Sequence, residues 1–352
     1  MPFPLAEELR RALDQHIPRL LAAATSEFGA LGADSFFAPL PERLARGKRT
    51  RALAAACGWL AAGGDEDVTD PLFSIALALE LYQLHALVHD DIIDHACTRR
   101  GLPALHVAYA RTHAEAGWAG SGDDYGVASA ILAGDYLLSA ASDAAYAACI
   151  NAPEAWARFA LLTREVAVGQ YLDVRAEHEP DPADALAAAL GVLTHKSANY
   201  SVVHPVALGA LVAGADTDLI ATLDALTTPW GQAFQLRDDD LGVFGDPDLT
   251  GKPSGDDLRE GKRTVLLALT LQRAAASERD WLLAQLRDGA WDDAAIDRAR
   301  HLIIACGARE EHEARIRALV AEGDAILEDA NLPDAGRDAC RWLGSALVER
   351  DA

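Results

Sequence analysis

The sequence contains few aromatic residues, no paired cysteines and no excess of basic residues. Only 6% of its 352 residues are aromatic while 51% are hydrophobic, so small and aliphatic side chains must fill most of the core. This composition favours closely packed helices. Lys and Arg number 31 against 54 Asp and Glu, a formal net charge of −23. This balance argues against a nucleic-acid-binding protein, because phosphate backbones require a basic face.

The five cysteines are scattered and form no CxxC pair, which argues against a zinc knuckle and a disulfide framework. We therefore predict a reducing, cytoplasmic environment. The N-terminal segment is charged throughout and contains no stretch that resembles a signal peptide. No uncharged apolar run reaches about 18 residues, so we predict no membrane span. The cysteines are Cys57, Cys97, Cys149, Cys306 and Cys340.

Hydrophobic periodicity is helical along nearly the whole chain, and no segment alternates clearly at period two. We predict an all-α fold in which residues 1–352 form a single helical domain. Loops are expected at 101–103, 118–126 and 245–261, where glycine and proline interrupt the pattern. The predicted helices cover residues 5–24, 47–60, 71–94, 127–150, 153–176, 182–193, 197–213, 219–243, 262–275, 278–287, 292–306, 310–328 and 334–348.

An acidic cluster, Asp90-Asp91-Ile92-Ile93-Asp94, ends an otherwise apolar helical segment. Asp90 and Asp94 are four residues apart and share one helix face, where like charges repel by roughly a few tenths of a kcal/mol. For either acidic cluster alone, a solvated helix end is the simplest interpretation. The alternative is a divalent cation, and carboxylates that leave bound waters in place suit Mg²⁺.

A second acidic cluster, Asp238-Asp239-Asp240, also ends an apolar segment, and basic residues accompany both clusters. Lys48 and Arg51 are three residues apart, which predicts that they share a helix face. Such a set could pair with two diphosphate groups, one through metal ions and one directly. The basic residues in question are Lys48, Arg51, Arg99, Arg100, Lys196 and Lys252.

Two long strings resemble the aspartate-rich motifs of the trans-prenyltransferases (polyprenyl synthetases), the family of geranylgeranyl and farnesyl diphosphate synthases. HDDIIDHACTRRGLPALH at 89–106 resembles the first motif, and GQAFQLRDDDLGVFGDPDLTGKPSGDDLREGKRT at 231–264 resembles the second. GKRTR at 47–51, GDYLL at 134–138, GQYLD at 169–173 and KSA at 196–198 match intermediate motifs in order. The resemblance implies a helical bundle around a deep central cavity, assembled as a homodimer. It also implies an enzyme that condenses isopentenyl diphosphate with an allylic diphosphate.

The resemblance also implies a role for each matching residue. Mg²⁺, as three ions once substrate is bound, would be held by Asp90, Asp91, Asp94, Asp238 and Asp239. The allylic diphosphate would contact Arg99, Lys196 and Lys252, which complete the predicted catalytic set. Isopentenyl diphosphate would be held by Lys48, Arg51 and Arg100. Gln170 and Gln235 match polar positions near the metal site, and the released diphosphate would take the proton.

The sequence departs from the family pattern at three places. Gly242 stands where the second motif has its third aspartate, although Asp240 and Asp246 are close in sequence. Gln83 replaces a histidine that assists isopentenyl diphosphate, and glutamine can donate the same kind of hydrogen bond. His85 and Ala86 occupy the positions that floor the cavity in this family. A side chain as large as histidine predicts a farnesyl to geranylgeranyl product, and we expect geranylgeranyl diphosphate.

Two other functions were considered. A class I terpene cyclase would require a second metal motif of the Asn/Asp–Ser/Thr–Glu type, which the string DDDLG followed by TGK does not match. A non-catalytic regulatory subunit of a heteromeric prenyltransferase is expected to have lost motif residues, whereas this chain retains the first motif and both lysines. Both alternatives are less compatible with the sequence than chain elongation.

Overall fold

The computed structural model describes residues 3–45, 47–179, 184–246, 255–289 and 291–348, and these are almost entirely helical. The predicted all-α fold is confirmed. A 3-10 helix covers Gly29–Leu31 and a π-helical segment covers Leu193–Val203. The α-helices are α1 (Pro4–Phe28), α2 (Asp34–Phe37), α3 (Leu40–Leu44), α4 (Thr50–Ala61), α5 (Asp70–Ile93), α6 (Leu105–Glu115), α7 (Gly122–Ala148), α8 (Pro153–His178), α9 (Ala185–Val192), α10 (His204–Val212), α11 (Thr217–Phe244), α12 (Asp256–Arg259), α13 (Val265–Arg273), α14 (Ala276–Asp288), α15 (Asp293–Ala305), α16 (Ala308–Asp329) and α17 (Asp334–Val348).

The chain divides into two compact units, the first formed by residues 1–156 and 208–214 and the second by 157–207 and 215–352. The centre of the first unit is α5, which packs against α4 and α7. This helix begins at Asp70, one residue before the predicted start, with Thr69 as its N-cap and Pro71 in its first turn. A proline there costs no hydrogen bond, because the first N–H groups of a helix have no partner within it. The polar end of α5 carries the first acidic cluster.

A short hairpin follows the first acidic cluster and corrects the prediction of a fold without strands. Thr98–Arg99 pairs antiparallel with Leu102–Pro103, and this is the only β-structure in the part of the chain that the structure describes. The two turn residues, Arg100 and Gly101, have φ of 54° and 73°. Positive φ at both central residues is the feature of a type I′ turn, whose twist matches that of paired strands. Two-residue strands are too short to produce a period-two pattern.

A second correction concerns the start of α7, which begins at Gly122 inside the predicted 118–126 loop. Ser121 is its N-cap, and the Ser121 hydroxyl accepts a hydrogen bond from the backbone N–H of Asp124. This capping bond satisfies one of the N–H groups that a helix start leaves unpaired, so the helix extends further than its apolar pattern.

The centre of the second unit is α11, which packs against the π-helical segment, α16 and α17. Trp230 on α11 is fully buried, and its indole lies against Gly323 of α16 and Gly344 of α17. A Cβ at Gly323 would lie 2.4 Å from Trp230 Nε1, so glycine is required for this contact. The indole N–H donates to Asp324 Oδ1 at 3.2 Å, which satisfies its one polar group.

Two helices predicted at 182–193 and 197–213 form one continuous run from α9 through the π-helical segment to α10. The backbone N–H of His204 bonds to the carbonyl of Asn199, five residues earlier, which is the π-helical spacing. The predicted break near residue 195 is therefore wrong. Segments of this kind are frequent at functional sites, and this one contains Lys196.

One described helix, α5, is long and apolar enough to cross a membrane by length and composition. Most of its apolar stretch is buried inside the protein, and core helices of soluble proteins pass the same test. Its burial against α4 and α7 explains its composition, because a helix that is apolar all round belongs in a core.

Candidate active site

The first acidic cluster lies at the C-terminal end of α5, where Asp94 is the C-cap residue. Asp91 is buried, and Arg99 Nε donates to Asp91 Oδ1 at 2.6 Å. A second nitrogen of Arg99 lies 3.3 Å from Asp90 Oδ2. The hairpin therefore returns Arg99 to the acidic cluster that precedes it in the sequence.

The basic string at 47–51 does not form the helical face that we predicted. Helix α4 begins at Thr50, so Lys48 precedes the helix and cannot share a helix face with Arg51. Gly47, with φ of 148°, is contacted by Arg100: a Cβ on Gly47 would lie 3.0 Å from a guanidinium nitrogen. A loop, rather than a helix face, therefore brings this string to the hairpin.

Arg49 anchors that loop. It is the N-cap of α4 with φ of 58°, a left-handed conformation that non-glycine residues rarely adopt. Its side chain is only 3% exposed and donates to Glu80 Oε2 at 3.0 Å, Asp14 Oδ1 at 2.9 Å and the Leu44 carbonyl at 2.6 Å. A buried guanidinium needs such partners, and the three together hold the loop in place. The sequence provided no sign that Arg49 differs from its basic neighbours.

The guanidinium groups of four arginines gather in the first unit. Burial lowers the pKa of Arg100, the charge of Glu80 opposes this, and the charges of Arg51, Arg49 and Arg99 lower it further. Like charges held this close in a partly buried region favour an anion. Arg51 and Arg100, two of the three residues predicted to hold isopentenyl diphosphate, are thus brought together.

A small apolar pocket adjoins these charges within the first unit. Its walls combine leucine and valine side chains with Asp91, Arg99 and Arg100. Arg43, which the sequence did not single out, also lines it and donates to the carbonyls of Pro39 and Pro103, both at 2.6 Å. The apolar lining residues are Leu84, Leu87, Val88, Leu102 and Leu105.

The predicted cavity-floor residues, His85 and Ala86, are partly buried on α5. His85 Nδ1 donates to the carbonyl of Gly134 on α7 at 2.9 Å, and its ring lies 4.6 Å from that of His89. Burial and the charge of His89 lower the pKa of His85, so its neutral form is favoured. Gln83, two residues before His85 on α5, is also partly buried.

In the second acidic cluster, three consecutive carboxylates have three different environments. Asp240 is buried and pairs with Arg309 of α16 through two hydrogen bonds of 2.8 and 2.9 Å. The Arg309 guanidinium also stacks on the ring of Phe244, 3.9 Å from its centroid. Asp240, noted above only as close in sequence to Gly242, is thus tied to an arginine.

Asp239 is buried, and Gln235 Nε2 donates to its Oδ1 at 3.0 Å. Burial raises the pKa of Asp239 well above its usual value. The Gln235 hydrogen bond and the charge of Lys262 lower that pKa, whereas the charges of Asp257 and Asp238 raise it. Three carboxylates therefore lie close together with one lysine, an arrangement that an added cation would stabilise. Lys262 was not among the predicted site residues.

Lys196 lies in the π-helical segment, and its Nζ contacts Asp173 Oδ2 at 2.5 Å. Gly169 permits this approach, because a Cβ there would lie 2.7 Å from the Lys196 Cα. The GQYLD and KSA motifs therefore meet in the second unit. Next to Gly169, the Gln170 Nε2 is buried without a hydrogen-bond partner among the described residues. A buried amide donor without a partner is costly, so a ligand at this place would satisfy it.

The carboxylate of Glu165 holds the π-helical segment from α8. It accepts hydrogen bonds from His204 Nε2 at 2.6 Å, His195 Nδ1 at 2.5 Å and Asn199 Nδ2 at 2.6 Å. Burial opposes ionisation, but the three hydrogen bonds outweigh it and lower the pKa of Glu165 to about 2. The segment that carries Lys196 is thus fixed by an ionised carboxylate.

The donor set fits Mg²⁺. Carboxylates are the hard oxygen ligands that this ion takes, and it keeps several waters and substrate phosphate oxygens. In the described ranges, no three His, Cys, Asp or Glu side chains are arranged to enclose an ion unaided. Lys252, a predicted diphosphate ligand, lies outside the described residues.

The polyprenyl synthetase family model matches residues 36–303, which include both acidic clusters. The chain belongs to the polyprenyl synthetase family. It is 32% identical to a geranylfarnesyl diphosphate synthase of Aeropyrum pernix, over 87% of this chain and 91% of the relative. It is 33% identical to a geranylgeranyl diphosphate synthase of Mycobacterium tuberculosis, over 97% and 89%.

Among solved structures, a Corynebacterium glutamicum geranylgeranyl pyrophosphate synthase, complexed with isoprenyl diphosphate and magnesium, superposes with a TM-score of 0.90. The two sequences are 37% identical, and the match covers 98% of this chain and 99% of the solved structure. This polyprenyl synthetase is therefore an enzyme, a prenyltransferase, and the predicted family is confirmed.

Two helices beyond the family match, α16 and α17, contact the helix that carries the second acidic cluster. Glu313 of α16 pairs with Arg237, one residue before that cluster, and Arg309 pairs with Asp240. The sequence predicted only helices in this region, because neither Arg309 nor Glu313 belongs to a recognised motif.

Proposed function

We propose that this polyprenyl synthetase condenses isopentenyl diphosphate with an allylic diphosphate and releases geranylgeranyl diphosphate. The observation that carries the proposal is the gathering of Arg51, Arg99 and Arg100 beside the carboxylates of Asp90 and Asp91. Carboxylates suited to Mg²⁺ lie next to cations suited to a free diphosphate, as a reaction between two diphosphates requires.

The aspartates are assigned to the metal ions. Asp90, Asp91, Asp94, Asp238 and Asp239 would hold Mg²⁺ on the allylic diphosphate, with three ions when substrate is bound. Bound Mg²⁺ would neutralise the charge that develops on the leaving diphosphate. Gln235 supports this role, because its amide holds the carboxylate of Asp239 in one orientation.

The cations are assigned to the two diphosphates. Lys48, on the loop that Arg49 anchors, would bind isopentenyl diphosphate together with Arg51 and Arg100, with help from Gln83. The allylic diphosphate would contact Arg99, Lys196 and Lys252. The side-chain amide of Gln170 would donate a hydrogen bond to the ligand near Lys196. The buried Nε2 of Gln170 would then have a partner.

The reaction follows from these positions. The allylic carbon–oxygen bond breaks as the isopentenyl double bond attacks the allylic carbon, and the diphosphate leaves with the bonding electrons. Loss of a proton to the released diphosphate restores an allylic double bond. Apolar walls such as Leu84 and Val88 would exclude water from the cationic carbon, because water would capture it.

Product length is assigned to the end of α5 that carries His85 and Ala86. The histidine ring is held by the carbonyl of Gly134, which supports a fixed floor rather than a mobile one. Relatives named for geranylgeranyl products support this length, and other relatives of similar identity are named for farnesyl and geranylfarnesyl products.

We further propose a cytoplasmic homodimer in which each chain forms one functional domain. Exposed apolar side chains on α7 and α8 support the dimer, since such patches mark interaction surfaces. They include Ile131, Leu132 and Tyr146 on α7 and Leu161, Val168 and Tyr171 on α8. The arginine cluster disfavours a terpene cyclase, which has no second diphosphate to bind, and retained aspartates disfavour a regulatory subunit.

The test is elongation by purified protein with Mg²⁺, labelled isopentenyl diphosphate and, separately, dimethylallyl, geranyl and farnesyl diphosphates. We expect Mg²⁺-dependent products that end at geranylgeranyl diphosphate and disappear in Asp90→Ala. The exposed Asp280→Asn variant is the control for lost charge and should elongate normally. Folded protein that elongates none of the primers would contradict the proposal, and cyclised hydrocarbons would favour the cyclase. Size-exclusion chromatography with light scattering tests the dimer.

A further inference from the structure

Gly242 raises the question of how this chain compensates for the third aspartate of the second acidic motif. Glycine has no side chain, so position 242 itself cannot supply a metal ligand. Residues 238 and 242 are four apart on α11 and therefore share a helix face. Asp238 consequently lacks the neighbour that Asp94 provides for Asp90 in the first motif.

The space beside Gly242 is filled by the carboxylate of Asp257. A Cβ built on Gly242 would lie 1.9 Å from Asp257 Oδ2 and 2.4 Å from its carboxyl carbon. Non-bonded atoms do not approach this closely, so residue 242 can carry a side chain only if Asp257 moves. One place on the helix can thus be occupied by a carboxylate from either residue, but not by both.

The position of Asp257 is determined by packing. Gly255, with φ of 81°, turns the chain into the short helix α12, and the next residue after Asp257, Leu258, is completely buried. The backbone N–H of Lys262 bonds to the carbonyl of Asp257 at 3.1 Å. The Lys262 ammonium lies 3.5 Å from Asp257 Oδ1, which leaves Oδ2 as the oxygen beside α11.

The side chain of Asp257 keeps access to solvent, with 14% of its surface exposed, whereas that of Asp240 is 4% exposed and paired with Arg309. Of the acidic residues that surround the motif, Asp257 therefore lies at the missing position and Asp240 does not.

We propose that Asp257 supplies the third carboxylate of the second acidic motif, in the space left by Gly242, and acts there toward Mg²⁺ with Asp238. This inference rests on the proposed function, which requires Mg²⁺ at this motif. Gly242 then provides the space that Asp257 occupies, and the motif keeps three carboxylates. If Asp257 serves only as the ion-pair partner of Lys262, moving its carboxylate to position 242 will not restore metal binding.

The experiment moves the carboxylate from one residue to the other. The variants are Asp257→Gly, Gly242→Asp and the double variant Gly242→Asp/Asp257→Gly, with Asp280→Asn as the matched control for lost charge. Binding is measured as loss of the free Mn²⁺ signal in electron paramagnetic resonance, with inorganic pyrophosphate as an unreactive diphosphate and a protein-free blank. Thermal unfolding of each variant without metal shows which ones are folded.

We expect Asp257→Gly to weaken Mn²⁺ binding about tenfold or more, and the double variant to return to within about threefold of wild type. Gly242→Asp alone should unfold at a lower temperature, because two carboxylates then compete for one space. The inference is overturned if folded Asp257→Gly binds Mn²⁺ as tightly as wild type, or if the double variant binds no better than Asp257→Gly. Failure of the proposed function has a separate readout, since wild-type protein would then elongate no primer.

Discussion

The two acidic motifs end helices of similar length and apolar character, yet their carboxylates have different partners. In the first motif, Asp90 and Asp91 both face Arg99, which the hairpin returns to the helix end. In the second, the buried Asp239 accepts a hydrogen bond from Gln235, while Asp240 pairs with Arg309 from outside the family match. Neighbouring aspartates thus acquire different roles from the helices packed behind them.

The arginine anchors in the two units, Arg49 of the basic loop and Arg309 beside the second motif, differ in burial. In the first unit, Arg49 is 3% exposed and bound to Glu80, itself 7% exposed. In the second, Arg309 is 38% exposed. Because desolvation decides how much an unpaired charge costs, the first anchor is more sensitive to mutation than the second.

The largest expected effect is on kcat/KM, and it distinguishes Asp238, assigned to the metal ions, from Asp240, which is paired with Arg309. We expect Asp90→Asn and Asp238→Asn each to lower kcat/KM about a thousandfold, roughly 4 kcal/mol, because charge neutralisation of the leaving diphosphate is lost. Asp240→Asn should lower it by no more than about threefold in folded protein. Steady-state elongation with geranyl diphosphate and Mg²⁺ measures all three. Equal losses in Asp238→Asn and Asp240→Asn would break the distinction between them.

The next effect concerns the buried anchor. Arg49→Met keeps the length of the side chain but leaves Glu80 buried and unpaired, so we expect a loss of about 3–5 kcal/mol in the free energy of unfolding. Urea unfolding measures it. The double variant Arg49→Met/Glu80→Gln should recover part of that loss, because no buried charge remains. Equal loss in the single and double variants would show that the pair is not the cause.

A smaller loss is expected at the anchor of the second motif. Asp240→Asn removes a charge-assisted pair whose arginine is partly exposed, and we expect a loss of about 2 kcal/mol in the free energy of unfolding. The same urea measurement applies, with Asp280→Asn as control. A loss as large as that of Arg49→Met would contradict the difference in burial between the two anchors.

The last effect is a pH dependence that arises beside the second anchor and is smaller than the preceding loss within any single pH unit. His312, between Arg309 and Glu313 on α16, is fully buried with neither ring nitrogen hydrogen-bonded, and burial lowers its pKa to about 4 from 6.5. The unfolded chain therefore binds a proton that the folded chain does not between these values. Stability should fall as pH drops from 6.5 toward 4, by at most about 1.4 kcal/mol per pH unit.

Thermal unfolding between pH 4 and 7 tests this slope. His312→Leu should flatten it, whereas His301→Gln, at an exposed histidine of the same unit, should not. Both anchors contain an arginine, which stays charged throughout this range, but the second also has the buried His312 beside it, so acid should weaken the second anchor first. A wild-type slope retained in His312→Leu would assign the pH dependence to another group.

Most of the secondary structure could be predicted because helical periodicity and caps are local properties of the chain. The bounds of α5 and α11 came within two residues of the prediction for this reason. The predictions failed where a local pattern was too short to be recognised, or where the backbone did not follow the local pattern. The hairpin at 98–103 has two-residue strands, and the π-helical segment continues through a predicted break. At 47–51, the pattern of a helix start concealed a loop that Arg49 anchors.

The sequence by itself determined the all-helical fold, the family and the residue types of the site. Periodicity and motif order are properties of neighbouring residues, and they can be read without knowing what packs where. Only the tertiary structure decided which carboxylates are available and which are anchors. Asp238, Asp239 and Asp240 look alike in the sequence, but their charges are stabilised or opposed by distant residues such as Asp257 and Arg309. Burial and pairing are consequences of packing between segments far apart in the chain, and these determine what each carboxylate can do.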